Sequence, residues 1–185
     1  MDSFSLLIAV LLISSGYFFL GTKSSKVIRA TGAVLHSLPH YYGLFAGLLS
    51  ALPALALLTI LGIGDGIIFD QLALEFVPDD VKASESYKEV IVLAQIYNVV
   101  NGINFGEQPD WVHAAAEAWH GWEATSTTLK TVTVLALSLI GGMLAYRMVN
   151  PDFRSRNAVE RIVMTILAAS SAIAILTTVG IVFSV

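Results

Sequence analysis

Four long apolar runs, charged only near their ends, limit this chain more than any other feature. They are Phe4–Leu20, which reads FSLLIAVLLISSGYFFL, then Tyr41–Ile63, Leu129–Val149 and Ile162–Val185. At 1.5 Å of rise per residue, a helix built from any of them crosses most or all of a hydrocarbon layer about 30 Å thick. Lipid offers no hydrogen bonds, so a segment inside it must satisfy its own backbone, and an α-helix does so alone. The composition agrees, with 56% hydrophobic and 13% charged residues against roughly 25% charged in soluble domains. The sequence therefore predicts an all-α, polytopic membrane protein with about four transmembrane helices. The first run reads as a retained anchor, because Asp2 precedes it and Lys23, Lys26 and Arg29 follow it, the reverse of a signal peptide's charge order.

The stretches between the runs sort by charge, and loops rich in Lys and Arg stay in the cytoplasm. Lys23, Lys26 and Arg29 separate the first two runs; Arg147, Arg154, Arg156 and Arg161, with Asp152 and Glu160, separate the last two. Both are expected inside. Asp65 to Thr128 holds eleven acidic residues against Lys82 and Lys88, a net of −9, and is expected outside, together with both termini. The expected divisions are residues 1–63, a pair of transmembrane helices with a basic cytoplasmic loop; 64–128, a small acidic periplasmic helical insert; and 129–185, two further transmembrane helices.

Within the runs, small residues recur at helical spacing. Gly43, Gly47 and Ala51 share one face of the second run, and Ser138 and Gly142, with Gly141 and Ala145, mark a face of the third. Such faces let membrane helices approach closely, although glycine is also simply frequent in membrane helices. The fourth run is rich in Ala, Ser and Thr, including Ser170, Ser171, Thr177 and Thr178, which suits packing against protein. No run interior carries an ionisable residue, so this segment is not expected to be a pump or transporter core by itself.

The acidic insert carries two helical patterns, one from about Ser84 to Val100 and a second from near Pro109 to about Glu123. On the second, Trp111, Trp119 and Trp122 fall on one side, and His113, Glu117, His120 and Glu123 on the other. The tryptophans are expected as anchors in the headgroup layer, where indole prefers to sit; the competing reading packs them on the first insert helix as ordinary core. His113, Glu117 and His120 have the spacing of metal ligands on one helical face, but three polar groups on an exposed face are more simply solvated, and no metal is expected. The chain has no cysteine, which removes disulfides and thiolate sites. There is no phosphate-binding glycine loop, nucleophile elbow or buried carboxylate pair, and too few basic residues for nucleic acid. No catalytic residue and no cofactor are expected.

Three stretches resemble the amino-terminal part of PstC-type phosphate ABC transporter permeases, in the long form with extra helices before the core. They are SLPHYYG at Ser37–Gly43 with the following Ala51-Leu52-Pro53-Ala54, RSRNAVERIV at Arg154–Val163, and IAILTTVGIV at Ile173–Val182. The resemblance implies a bacterial inner-membrane, multi-pass transport subunit rather than an enzyme. The implied partners are a second permease subunit, a cytoplasmic ATPase that hydrolyses ATP, a periplasmic phosphate-binding protein and the lipid bilayer. It places the last run as the first helix of the permease core, so the chain is expected to be a truncated anchoring and packing part. The alternative is a stand-alone small membrane protein that regulates or senses through its acidic cap.

Overall fold

The computed structural model describes residues 1–84, 87–103 and 106–184. It is helical throughout, with α1 (Ser3–Ala30), α2 (Pro39–Glu75), α3 (Asp79–Lys82), α4 (Glu89–Val100), α5 (Asp110–Arg147) and α6 (Ser155–Ser184), and no strand among the described residues. Helices α1, α2, α5 and α6 are long and apolar enough to cross a membrane, as the four runs predict. The helical pattern expected from Ser84 is a helix from Glu89 onward; Glu85 and Ser86 lie outside the described residues.

Local chemistry explains the ends. Asp2 caps α1, its carboxylate accepting the Ser5 amide at 3.4 Å and the Ser5 hydroxyl at 2.5 Å. Those bonds hold the Asp2 carboxyl below the usual carboxylate range. Beyond α1 the chain turns at Gly32, whose φ of +89° suits only a residue without Cβ, and whose N–H reaches the Arg29 carbonyl at 3.2 Å. Helix α2 opens on Pro39, where a missing N–H costs nothing.

Two helices outrun the sequence boundaries. Helix α2 continues past Ile63 to Glu75, and α5 joins the second insert pattern and the third run in one helix of 38 residues. At 1.5 Å per residue each is about 55 Å long, well beyond the roughly 30 Å of a hydrocarbon core. Part of each must therefore stand outside the apolar layer.

The chain forms two compact units, one of Met1–Leu6 with Leu55–Val134, the other of Leu7–Ala54 with Leu135–Val185. In the first unit, Ala73 and Val77, Val92 and Ile96 of α4, and Val112, Ala115 and Trp119 of α5 share a core. In the second, Phe45 and Ala46 of α2, Ala145 of α5 and Val159 of α6 are buried together, with Tyr17 of α1 and Phe153 against them.

Candidate functional site

In the second unit the helices meet on small residues. A Cβ on Gly43 would collide with Thr22 Oγ1 and stand 2.5 Å from the Phe18 carbonyl oxygen; one on Gly21 would stand 2.9 Å from the Tyr42 carbonyl oxygen. Gly47 faces Ser14, whose hydroxyl donates to the Gly47 carbonyl at 2.9 Å. Ala51 is buried, and Ser138 is fully buried. The Ser50 hydroxyl donates to the Ser138 carbonyl at 3.0 Å and lies 3.0 Å from the Ser138 hydroxyl. Gly142 lies under the Tyr17 ring, whose hydroxyl donates to the Leu139 carbonyl at 3.1 Å. Gly43 and Gly47 thus face α1, while Ser138 faces α2 and Gly142 faces α1.

Pro53 and Gly141 belong to one device. Pro53 has no N–H, so the Leu49 carbonyl four residues earlier loses its helical donor. A Cβ on Gly141 of α5 would run into that oxygen, with the Leu49 carbonyl carbon at 3.2 Å. Glycine lets the neighbouring helix close over the freed carbonyl, the way membrane helices tolerate proline.

The first unit holds the ionic site. Asp65 of α2 receives Lys130 Nζ at 2.6 Å and the Ser126 hydroxyl at 2.7 Å, both from α5. The side chains of Lys130 and Asp65 are 15% and 22% exposed, so the pair is largely desolvated and each charge depends on the other. The adjoining cleft, about 360 Å³, brings Asp2 and Glu123 beside Asp65, with Lys130 on the opposite charge. With the Met1 ammonium also in the lining, three carboxylates face two cations, and the net charge of −1 disfavours anions.

One helical turn on, the Tyr97 hydroxyl donates to Asp70 at 2.7 Å. Burial, followed by that hydrogen bond and the Asp70 charge, pushes the Tyr97 phenol up to about 12. Tyr97 also meets Trp119 edge-on at 4.9 Å between ring centroids, and Trp119 meets Phe69 at 5.4 Å. Trp119 is buried, whereas Trp111 and Trp122 pack against the same core half-exposed. His113, Glu117 and His120 project from the exposed side of α5, where His120 Nδ1 stands 4.0 Å from Glu123. No group of three or more His, Cys, Asp or Glu that could hold a metal occurs among the described residues.

Sequence reasoning passed over Asp65, Ser126 and Lys130, counting the first two as insert and the third as the margin of a run. A signal was present: Ile67, Ile68, Leu72 and Ala73 keep α2 apolar beyond Asp65. It also passed over Tyr17 and Gly21, the α1 partners of Gly142 and Gly43.

A family model described as phosphate ATP-binding cassette transporter matches residues 6–177. No curated protein and no solved structure matches the chain.

Proposed function

The chain belongs to the phosphate ATP-binding cassette transporter family, and from that membership we propose that it forms the amino-terminal, membrane-anchoring part of a permease subunit of a bacterial phosphate importer. The observation that carries this reading is the treatment of polar groups along its spans. Moving phosphate through hydrocarbon requires polar or positive groups free to face it. Here the one lysine in the extended helices is closed by Asp65, beside a cleft of net negative charge. On α6 the hydroxyls of Thr165, Thr177 and Thr178 donate to the carbonyls of Arg161, Ile173 and Ala174 of their own helix. These features fit a scaffold rather than a conduction path.

Residues 163–184 of α6 are all exposed, an apolar length suited to lipid and to further membrane helices. In the proposed arrangement α6 docks on the transport core, Gly43, Gly47, Ala51, Ser138 and Gly142 hold the anchoring helices together, and a partner ATPase hydrolyses ATP. The basic segments around 23–29 and 147–161 lie in the cytoplasm. The acidic insert lies in the periplasm, where Trp111 and Trp122, with Trp119 behind them, meet the headgroup layer of the inner membrane. The presence of Met1 to Leu6 in the same compact unit as the insert fits an external amino terminus.

The test is affinity purification of the tagged full chain from its host's membranes in mild detergent. Recovery of the phosphate-transport ATPase and a second permease is expected. Recovery of the chain without either would overturn the assembly and favour a stand-alone membrane module.

A further inference from the structure

The loop between α1 and α2 forms a concavity that the anchoring role does not use. Arg29, at the end of α1, and Arg156, in the first turn of α6, face the same cleft of about 550 Å³, with His36 and Tyr41 in its wall. That volume is in the range of small-ligand sites. Two contacts pin the loop to the start of α6: His36 Nδ1 lies 2.8 Å from the Pro151 carbonyl, and the Arg156 amide donates to the Ser37 hydroxyl at 3.2 Å.

The charges in the cleft are not balanced. Arg156 uses its Nε to reach Glu160 at 2.7 Å, which leaves the terminal nitrogens of its five-donor fork. Arg29 makes no side-chain hydrogen bond and no ion pair among the described residues. The cleft therefore carries an uncompensated positive charge and donors in the planar fork geometry that matches phosphate oxygens. The same loop also carries Val34, 84% exposed, and Leu38, 56% exposed, both lining the cleft. A free ion has no use for that apolar rim, whereas a phospholipid presents a phosphate beside acyl chain.

We propose that this cleft binds the phosphodiester of an anionic phospholipid, with Arg29 and Arg156 on the phosphate and Val34 and Leu38 against the acyl region. Glu160 competes with the phosphate for Arg156, so it sets the affinity from the opposite side. Bound lipid ties the α1–α2 loop to the start of α6.

The test is native mass spectrometry of the full chain titrated with phosphatidylglycerol, with phosphatidylcholine, and with inorganic phosphate. Wild type is expected to retain phosphatidylglycerol in preference to phosphatidylcholine. Arg29→Gln with Arg156→Gln should weaken the anionic lipid about tenfold, the loss of one or two charge-assisted hydrogen bonds, and Glu160→Gln should strengthen it. Equal retention of the two lipids, or an unchanged affinity in the double variant, overturns the proposal. Displacement of the lipid by millimolar inorganic phosphate would instead make the occupant a free anion, and overturns it too. If the double variant does not fold, Glu160→Gln decides: tighter binding of the anionic lipid supports the site, and unchanged binding refutes it.

Discussion

Gly141→Ala tests whether the freed Leu49 carbonyl dictates how closely α5 approaches α2. The added methyl would meet the Leu49 oxygen and stand 3.2 Å from its carbon, inside the 3.4 Å of ordinary contact. Both atoms are backbone, so no rotamer change relieves the collision and the helices must separate. A shift of about 1 Å also breaks the Ser50 to Ser138 contacts, both 3.0 Å, on the same face. Overpacking costs about 1–3 kcal/mol, and the lost hydrogen bond adds about 0.6 kcal/mol by the membrane-protein average. Alanine's helix propensity returns up to about 1 kcal/mol here as well, so the total is roughly 1–4 kcal/mol. At about 2–4 °C per kcal/mol for a chain of this size, the midpoint falls by roughly 2–16 °C. The matched control is Gly64→Ala on α2, where a Cβ meets nothing within 4 Å and helix propensity favours alanine by up to about 1 kcal/mol. Thermal unfolding of both variants in one detergent, followed by circular dichroism, should move them in opposite directions. Equal midpoints would refute the packing argument.

Asp65→Asn and Lys130→Gln should each destabilise the chain, by about 3–5 kcal/mol if the surviving charge stays buried, and the double variant should cost less than the sum. Additive losses in a double-mutant cycle by denaturant unfolding would show that the two do not interact. The contribution of Tyr97 to stability should be constant between neutral pH and about 10, then decline as pH rises toward 12. The Tyr97 phenol has a folded pKa raised to about 12 above an ordinary value near 10, so its contribution is present below 10 and lost on ionisation. Tyr97→Phe should remove amplitude near pH 12 from the tyrosinate absorbance titration; amplitude lost near pH 10 instead counts against the Asp70 contact. Single cysteines at Lys26, Ser84 and Asp152, all exposed, should react with an impermeant reagent from the periplasmic side only at Ser84. Labelling at Lys26 or Asp152 would reverse the orientation.

The number of membrane helices was legible because apolar runs of that length have few other ways to fold. Their ends were not. Asp65 and Asp70 look like the start of a loop, yet α2 continues through both because Lys130, Ser126 and Tyr97 satisfy them from elements far away in sequence. Local pattern reports which residues are polar, not whether a partner waits across the fold. The same reason hid the α1 side of the packing. Gly43 and Gly47 stand four apart, which marks a face, while on α1 Ser14 and Gly21 stand seven apart with the bulky Phe18 between them on the same face, which masks the repeat. Pro53 was visible as a break, but that Gly141 covers its freed carbonyl is a property of two helices together.

Phosphate uptake into sealed proteoliposomes tests the central claim, that this chain is a scaffold within a phosphate importer and conducts nothing by itself. One set of vesicles holds the chain alone; another holds it with a complete permease pair, the ATPase, the binding protein and ATP. The account predicts uptake at the empty-vesicle leak in the first set and ATP-dependent uptake in the second. Uptake above the leak by the chain alone would contradict it.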